Sequence, residues 1–492
     1  MPPARPQPSP ARAWGWVALW VLAAAALRVW RLGQRPLTSD ELWNLHVIGR
    51  DWPALLRLAA GDTFPPLSYV VLKLWAGSGA CSDAALRAPA VVAGVACVPL
   101  VYLLGQTLVD RRAGLLAAGL WAISGCWLAQ AQDARLYSLT TLWCLASWWA
   151  WARWRFGDGG GRALAGWFAA TLLAVYTSYL AWPLVLGQNL VTALGRRPVE
   201  RRWWLAQAGL GLAYLPWLAL AAGGGGRAAG YMASRPPSSL GFALRKAFNA
   251  LFEFGYGLAS REHLAHLLAA LALTALLAGL AWRARARPPR PLLAATAAVV
   301  PVAAVVLAAG ARRQVPFERY LAAPAGALVL LWLAWALIVA PQGRLRAALI
   351  TVAVALNLFA AAVTVRQPAW DYDFRPALAQ LAAQARAGDG LLLDPPTDVL
   401  KVRRYLPPGL EARLAVPAEA TFRDEAAYAR YASELMAGGG RLWLLTAPCN
   451  APVVPGRDLV ARLRAQGPPL THAAIGPLDL ELFPPQAPNH AP

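Results

Sequence analysis

Long apolar stretches fill most of this chain, and short arginine-rich connections separate them. Eleven stretches read as membrane-crossing helices, at 13–32, 85–107, 114–130, 138–152, 163–180, 183–195, 203–222, 263–282, 291–310, 321–340 and 347–365. A helix needs about 20 apolar residues to cross the hydrocarbon core. The segment 64–80 is also apolar but of ambiguous depth, and counting it as a crossing breaks the charge pattern described next. With the N-terminus inside, the inner connections are "DRRAG" (110–114), "RWRFGDGGGR" (153–162), "GRRPVERR" (195–202), "RARARPPR" (283–290) and "PQGRLR" (341–346). Arginine dominates each, which is the positive-inside pattern. That orientation puts "LTSDEL" (37–42), the loop 223–262 and everything after residue 366 outside. The basic N-terminus and first apolar run could be a secretory signal, but the run is long enough to stay as an uncleaved first helix.

Two regions break the pattern of spans. In 238–257, Leu240, Leu244, Phe248, Leu251 and Phe252 form one helical stripe, which predicts a helix lying flat on the outer leaflet. The glycine-rich run before it reads as a flexible lead-in. After residue 366 the apolar runs shorten. Strands are predicted at 390–396 and 441–448, with a helix between them that has Thr421 as N-cap, Asp424 in its first turn and Gly438 just past its end. The prediction is an all-α polytopic membrane domain over 1–365, with about 11 transmembrane helices, and a small α/β extracytoplasmic domain over 366–492.

Composition agrees with this. The 492 residues are 58% hydrophobic and 14% charged, where an average soluble protein has about 25% charged residues. The net charge of +21 comes from arginines scattered through short loops, which fits membrane orientation rather than nucleic acid. Cys97, Cys126 and Cys144 fall inside spans and read as packing residues, while Cys81 and Cys449 fall outside and leave a disulfide open. No metal-ligand spacing is present, although the acidic residues could host a divalent metal.

Ionisable residues cluster at the predicted outer ends of separate spans. Asp40 and Glu41 follow the first, and Asp62 lies in "GDTFPPLSYVVLKLW". Asp133, Arg135 and Tyr137 lie in "AQAQDARLYSLTTLW"; Arg312, Arg313, Glu318, Arg319 and Tyr320 lie in "ARRQVPFERYLAAP". Both signs at one level suggest a shared site. A carboxylate there can act as general base toward a hydroxyl, and an arginine fork can hold a phosphate. Each group also has a structural reading: Asp40–Glu41 as a helix start, Asp62 as a cap, Asp133 and Arg135 as a local ion pair, Arg319 and Tyr320 as interfacial anchors, and His46 as a solvated helix residue.

The order of these motifs resembles the GT-C membrane glycosyltransferases. The likeness is to the family 39-like group of protein O-mannosyltransferases and lipid A aminoarabinose transferases. The matching pieces are "LTSDELW", "DTFPPLSYVVLKLW", "ALRAPAVVAGV", "QDARLYSL", "YTSYLAWPLVLGQNL", "FERYLAAPA", "GDGLLLDPP" and "RRYLPPG", in order along nearly the whole chain. The resemblance implies a sugar transferred from a polyprenyl-phosphate donor to a lipid, glycan or protein acceptor on the outer face of a bacterial cytoplasmic membrane. It implies that Asp40 activates or orients the acceptor, with Glu41 in support. Arg135 and Tyr137 would lie near the donor phosphate, and Arg319 and Tyr320 would line the same cavity. The chain departs from the family pattern at Phe64 and at Thr177-Ser178-Tyr179, where histidine is common, and at Asp133, where glutamate is common. The rival reading is a transporter or flippase of lipid-linked saccharides, whose marks would be mid-bilayer charges and repeated halves with broken helices. A membrane scaffold whose outer domain binds a partner is the third reading.

Overall fold

The computed structural model describes residues 7–485 apart from 78–80, 196–197, 224–234, 258–262, 316, 367–371, 396–397, 419–424, 449–460, 462 and 466. The chain divides into two compact units. The first comprises Met1–Gly33 with His46–Gln367, and the second Gln34–Leu45 with Pro368–Pro492. The predicted Thr421 cap, Asp424 and Cys449 lie outside the described residues.

The first unit is helical. Among the described residues, seven helices are long and apolar enough to cross a membrane, or eight if a bent pair counts as one span. The exact count of eleven is not confirmed by length and apolarity alone, for physical reasons. Helices form at 137–156, 160–177 and 181–193, but they fall short in length or apolarity. Ala181–Ala193 rises only about 20 Å. These three helices carry a buried polar network. Trp167 donates to Gln188 Oε1 at 2.8 Å, Gln188 to Ser147 at 3.4 Å, and Trp151 to Thr192 at 3.0 Å, while Ser147 bonds Thr171 at 2.8 Å. Partners on neighbouring helices satisfy these groups, so the helices tolerate lower hydropathy. The ambiguous segment 64–80 forms only Leu67–Ala76, about 15 Å long.

The predicted span 114–130 is two helices, Arg111–Ile123 and Gly125–Ala131, bent by 60° at Ser124. No broken helix was expected there, although "ISGC" carries a Ser-Gly pair of the kind found at kinks. The break leaves carbonyls at the end of the first helix without intrahelical donors. Arg28, fully buried on the helix Pro10–Val29, supplies them: it donates to Ala122 O at 2.9 Å and Trp121 O at 3.4 Å. Across the break, Trp121 and Trp127 stack at 3.8 Å. Arg28→Leu should therefore destabilise the unit by about 3 kcal/mol, the loss expected for charged hydrogen bonds at a buried helix end. A melt of the detergent-solubilised protein checks this, and an unchanged midpoint would show the break to be self-sufficient.

The second unit holds a five-stranded mixed sheet, with β1 at Asp389–Asp394, β2 at Leu414–Ala415, β3 at Leu442–Thr446, β4 at Thr471–Ile475 and β5 at Leu478–Phe483. Its order is β2-β1-β3-β5-β4. The pairs β1–β2 and β1–β3 are parallel, and β5 is antiparallel to β3 and β4. The continuous apolar run of β1 suits a central parallel strand buried on both faces. The helix predicted between β1 and β3 is present at Glu425–Ala437.

Asp389 anchors this sheet. Arg441 donates to both its oxygens at 2.9 and 2.7 Å, Trp443 donates at 2.9 Å, and the Arg386 N–H donates at 2.9 Å. Burial alone would raise this carboxyl, but those donors outweigh it and hold it below the ordinary carboxylate value. With the folded value depressed, the stabilisation is present above the unfolded value near 4 and is lost as pH falls through the folded one. In full-length protein, acid titration below about pH 4 should release the protease resistance of residues 368–492. Arg441→Ala should remove that acid step and instead weaken the unit at neutral pH by about 3 kcal/mol, because the buried carboxylate loses its charged partner.

Candidate functional site

In the first unit, one arginine lines a narrow recess and a second, from a distant segment, stacks on an aromatic residue of its wall. The turn 132–136 precedes the helix Tyr137–Phe156. Gln132 pins that turn to the end of the first helix by donating to Arg28 O at 3.0 Å and Trp30 O at 2.9 Å. This places Arg135 over the Phe64 ring at 5.6 Å. At the start of the helix Phe317–Val339, Arg319 lies over the Tyr137 ring at 5.3 Å and donates to its hydroxyl at 3.3 Å. Tyr320 packs against Phe64, Leu136 and Tyr137. An aromatic face attracts a guanidinium through its ring electrons rather than through its N–H donors.

The same recess is lined by Thr140, Cys144, Ser178, Ala323 and Pro324. None of these was singled out as a site residue in the sequence. Thr140 and Cys144 follow Tyr137 at helical spacing, as Ala323 and Pro324 follow Tyr320, and that spacing was the available signal. Phe64 and Ser178, noted as departures from the family pattern, are both in the recess. Phe64 gives Arg135 an aromatic face.

The other predicted residues divide. Asp62 organises its own turn: Oδ1 accepts from the Thr63 N–H at 2.6 Å and Oδ2 from the Tyr69 hydroxyl at 2.5 Å. Asp133 is half-buried in the turn that carries Arg135. Arg313 does not line the recess; it donates to Arg235 O at 2.8 Å, where Pro237 and Arg313 form an isolated antiparallel bridge. His46 lies 3.3 Å from Arg50, just past the end of its helix. The side chain of Glu318 lies outside the described residues. Among the described residues, no three His, Cys, Asp or Glu side chains gather to hold a metal.

Asp40 and Glu41 belong to the second unit, and the division between units falls within their helix, Ser39–Ile48. Thr38 and Glu41 form a capping box: the Thr38 N–H donates to Glu41 Oε2 at 2.9 Å, and the Glu41 N–H to Thr38 Oγ1 at 3.2 Å. Glu41 is 1% exposed, whereas Asp40 is exposed. The adjacent carboxylates therefore have different environments: one fixes the helix start and the other projects from it. The C-terminal residues hold the segment in place. The Leu37 N–H donates to the Tyr405 hydroxyl at 2.6 Å, and Arg375 donates to Gln34 O at 2.8 Å. Arg375 lies over the Tyr405 ring at 5.7 Å and forms a two-point pair with Asp373. Tyr405→Phe should speed amide exchange at Leu37 roughly tenfold, the equivalent of one lost hydrogen bond. Exchange mass spectrometry on the full chain reads this directly, and unchanged protection would rule out the clamp.

No known family's sequence profile matches the chain, and no curated protein does. Solved structures do. The chain is similar to ArnT from Cupriavidus metallidurans bound to undecaprenyl phosphate, with a TM-score of 0.56 and 14% identity over 95% of this chain and 98% of that one. The apo state of the same protein gives a TM-score of 0.54 and 15% identity, covering 96% and 98%. Archaeal oligosaccharyltransferase AglB from Archaeoglobus fulgidus, in complex with an inhibitory peptide and a dolichol-phosphate, gives 0.52 and 13% identity, covering 88% and 69%. The chain has a GT-C-type fold. In this GT-C-type fold, the aromatic-backed arginines and the capped Ser39–Ile48 helix are the two chemically distinctive features.

Proposed function

We propose that the protein is an integral membrane glycosyltransferase that moves a sugar from a polyprenyl-phosphate donor to an acceptor hydroxyl. The observation that carries this reading is the pairing of Arg135 and Arg319 at one recess, each backed by an aromatic ring. Two solved structures of the same fold were determined with a polyprenyl-type phosphate bound, which supports the donor class. The acceptor oxygen attacks the anomeric carbon, the carbon–oxygen bond to phosphate breaks, and polyprenyl phosphate leaves with the bonding electrons. Arg135 and Arg319 meet the charge that builds on the leaving phosphate. Asp40 takes the acceptor proton, and Glu41 keeps the helix start in place for it. A single displacement inverts the anomeric centre. The arginine bias of the short connections supports a cytoplasmic N-terminus, with the reaction on the outer face of a bacterial cytoplasmic membrane.

The break at Ser124 is the one observation that favours a transporter, since broken helices line transport sites. Arg28 donates into that break, so a structural cation already partners its carbonyls, which weighs against this reading. A lipid and glycan comparison between wild-type and deletion cells tests the proposal. A glycoconjugate that loses one sugar, with its polyprenyl donor accumulating, is the expected result. Complete glycoconjugates stranded on the wrong face would favour the flippase.

A further inference from the structure

A second cleft in the first unit shares no residue with the arginine recess. It lies among the helices Leu240–Tyr256, Leu264–Arg283 and Phe317–Val339 and holds about 440 Å³, a volume typical of small-molecule sites. Leu251, Phe252, Leu277, Ala281, Trp332 and Trp335 form much of its wall. The two hydroxyls and the Trp332 N–H of that wall are already engaged. Tyr256 and Thr274 share a 2.7 Å hydrogen bond, Thr274 donates to Ala270 O at 2.8 Å, and Trp332 donates to Thr296 at 2.9 Å. Such a wall favours hydrocarbon, because a polar group would exchange water for few partners there.

Length and charge narrow the occupant further. Thr274 and Ala281 both line the cleft, and seven residues of helix span about 10 Å, within one leaflet of a bilayer whose core is ~30 Å thick. Two residues past Ala281 the helix ends, and the exposed arginines Arg283, Arg285, Arg287 and Arg290 follow. The Trp332–Thr296 bond ties the helix Arg290–Ala297 to the cleft wall, so this basic connection stays at that end. We propose that the cleft binds an anionic phospholipid, with an acyl chain among the aromatic and aliphatic side chains and the phosphate at these arginines. Basic pockets between membrane helices hold anionic headgroups in this way.

The test uses full-length protein purified in mild detergent. Native mass spectrometry reads the retained lipid, and melting is followed with added phosphatidylglycerol or phosphatidylcholine. Wild type should retain an anionic phospholipid and be stabilised by phosphatidylglycerol far more than by phosphatidylcholine. The surface variant R283Q/R285Q/R287Q should stay folded and bind phosphatidylglycerol at least tenfold more weakly. Ala278→Trp, which fills the cleft, should lose the retained lipid. Equal response to the two lipids, an unchanged preference in the triple variant, or a polyprenyl chain as the retained species would each overturn the proposal.

Discussion

Replacing Asp40 with asparagine will leave the protein folded and remove sugar transfer. Asparagine keeps the size and the exposed position at the helix start but cannot accept a proton at neutral pH. A positioned general base contributes roughly 10²- to 10⁴-fold, so the loss should fall in that range. Glu41→Ala will behave differently. Its carboxylate is buried and bonded to the Thr38 N–H, so its removal should weaken the segment by about 1 kcal/mol or more. The two variants separate the roles when transfer and melting are measured on the same membranes. Full activity in Asp40→Asn would remove Asp40 from the chemistry. Loss of activity in Glu41→Ala with an unchanged melt would give the buried carboxylate a direct part instead.

The difference between these neighbours was only partly legible in the sequence. "TSDE" contains a threonine three residues before a glutamate, the capping-box spacing, and a helix start was among the readings of the pair. The division of labour required the fold, because burial of Glu41 depends on contacts that no local pattern encodes. The clamp on this segment was less legible still. Leu37 and Tyr405 are 368 positions apart, and neither residue type advertises a partner. The places of the membrane helices were clear because apolar periodicity is local, while their depth was not. Three were shortened or made polar by partners on other helices, as the Gln188–Trp167 bond illustrates. Arg28 was passed over inside an apolar run, and its purpose emerges only with the break at Ser124. In the second unit the β4–β5 hairpin was missed, although "THAAIGPLDLELF" has alternating residues around a Gly-Pro turn. Of the residues in the charge clusters, Tyr137, Arg319 and Tyr320 line the recess, Arg135 lies over Phe64 in its wall, and Arg313 turns to Arg235 O, because position in a loop does not fix a side chain's direction.

Arg319→Ala should reduce transfer by about 10²- to 10³-fold, comparable to deleting one donor from a preorganised charge-stabilising site. The argument rests on what holds the guanidinium. The Tyr137 ring and hydroxyl fix its plane, so little rotamer freedom remains to be lost when a phosphate arrives. Arg319→Lys should recover little, since an ammonium offers neither the planar fork nor the same stacking. Tyr137→Phe keeps the ring but removes the hydroxyl contact, and should cost less than tenfold if the cation–π contact is the main support. Steady-state kinetics with a varied polyprenyl-phosphate sugar separates the outcomes. A large fall in kcat/KM for the donor, with acceptor KM unchanged, places Arg319 at the phosphate. A shift confined to the acceptor would move Arg319 out of the donor site and leave Arg135 as the remaining candidate for the phosphate.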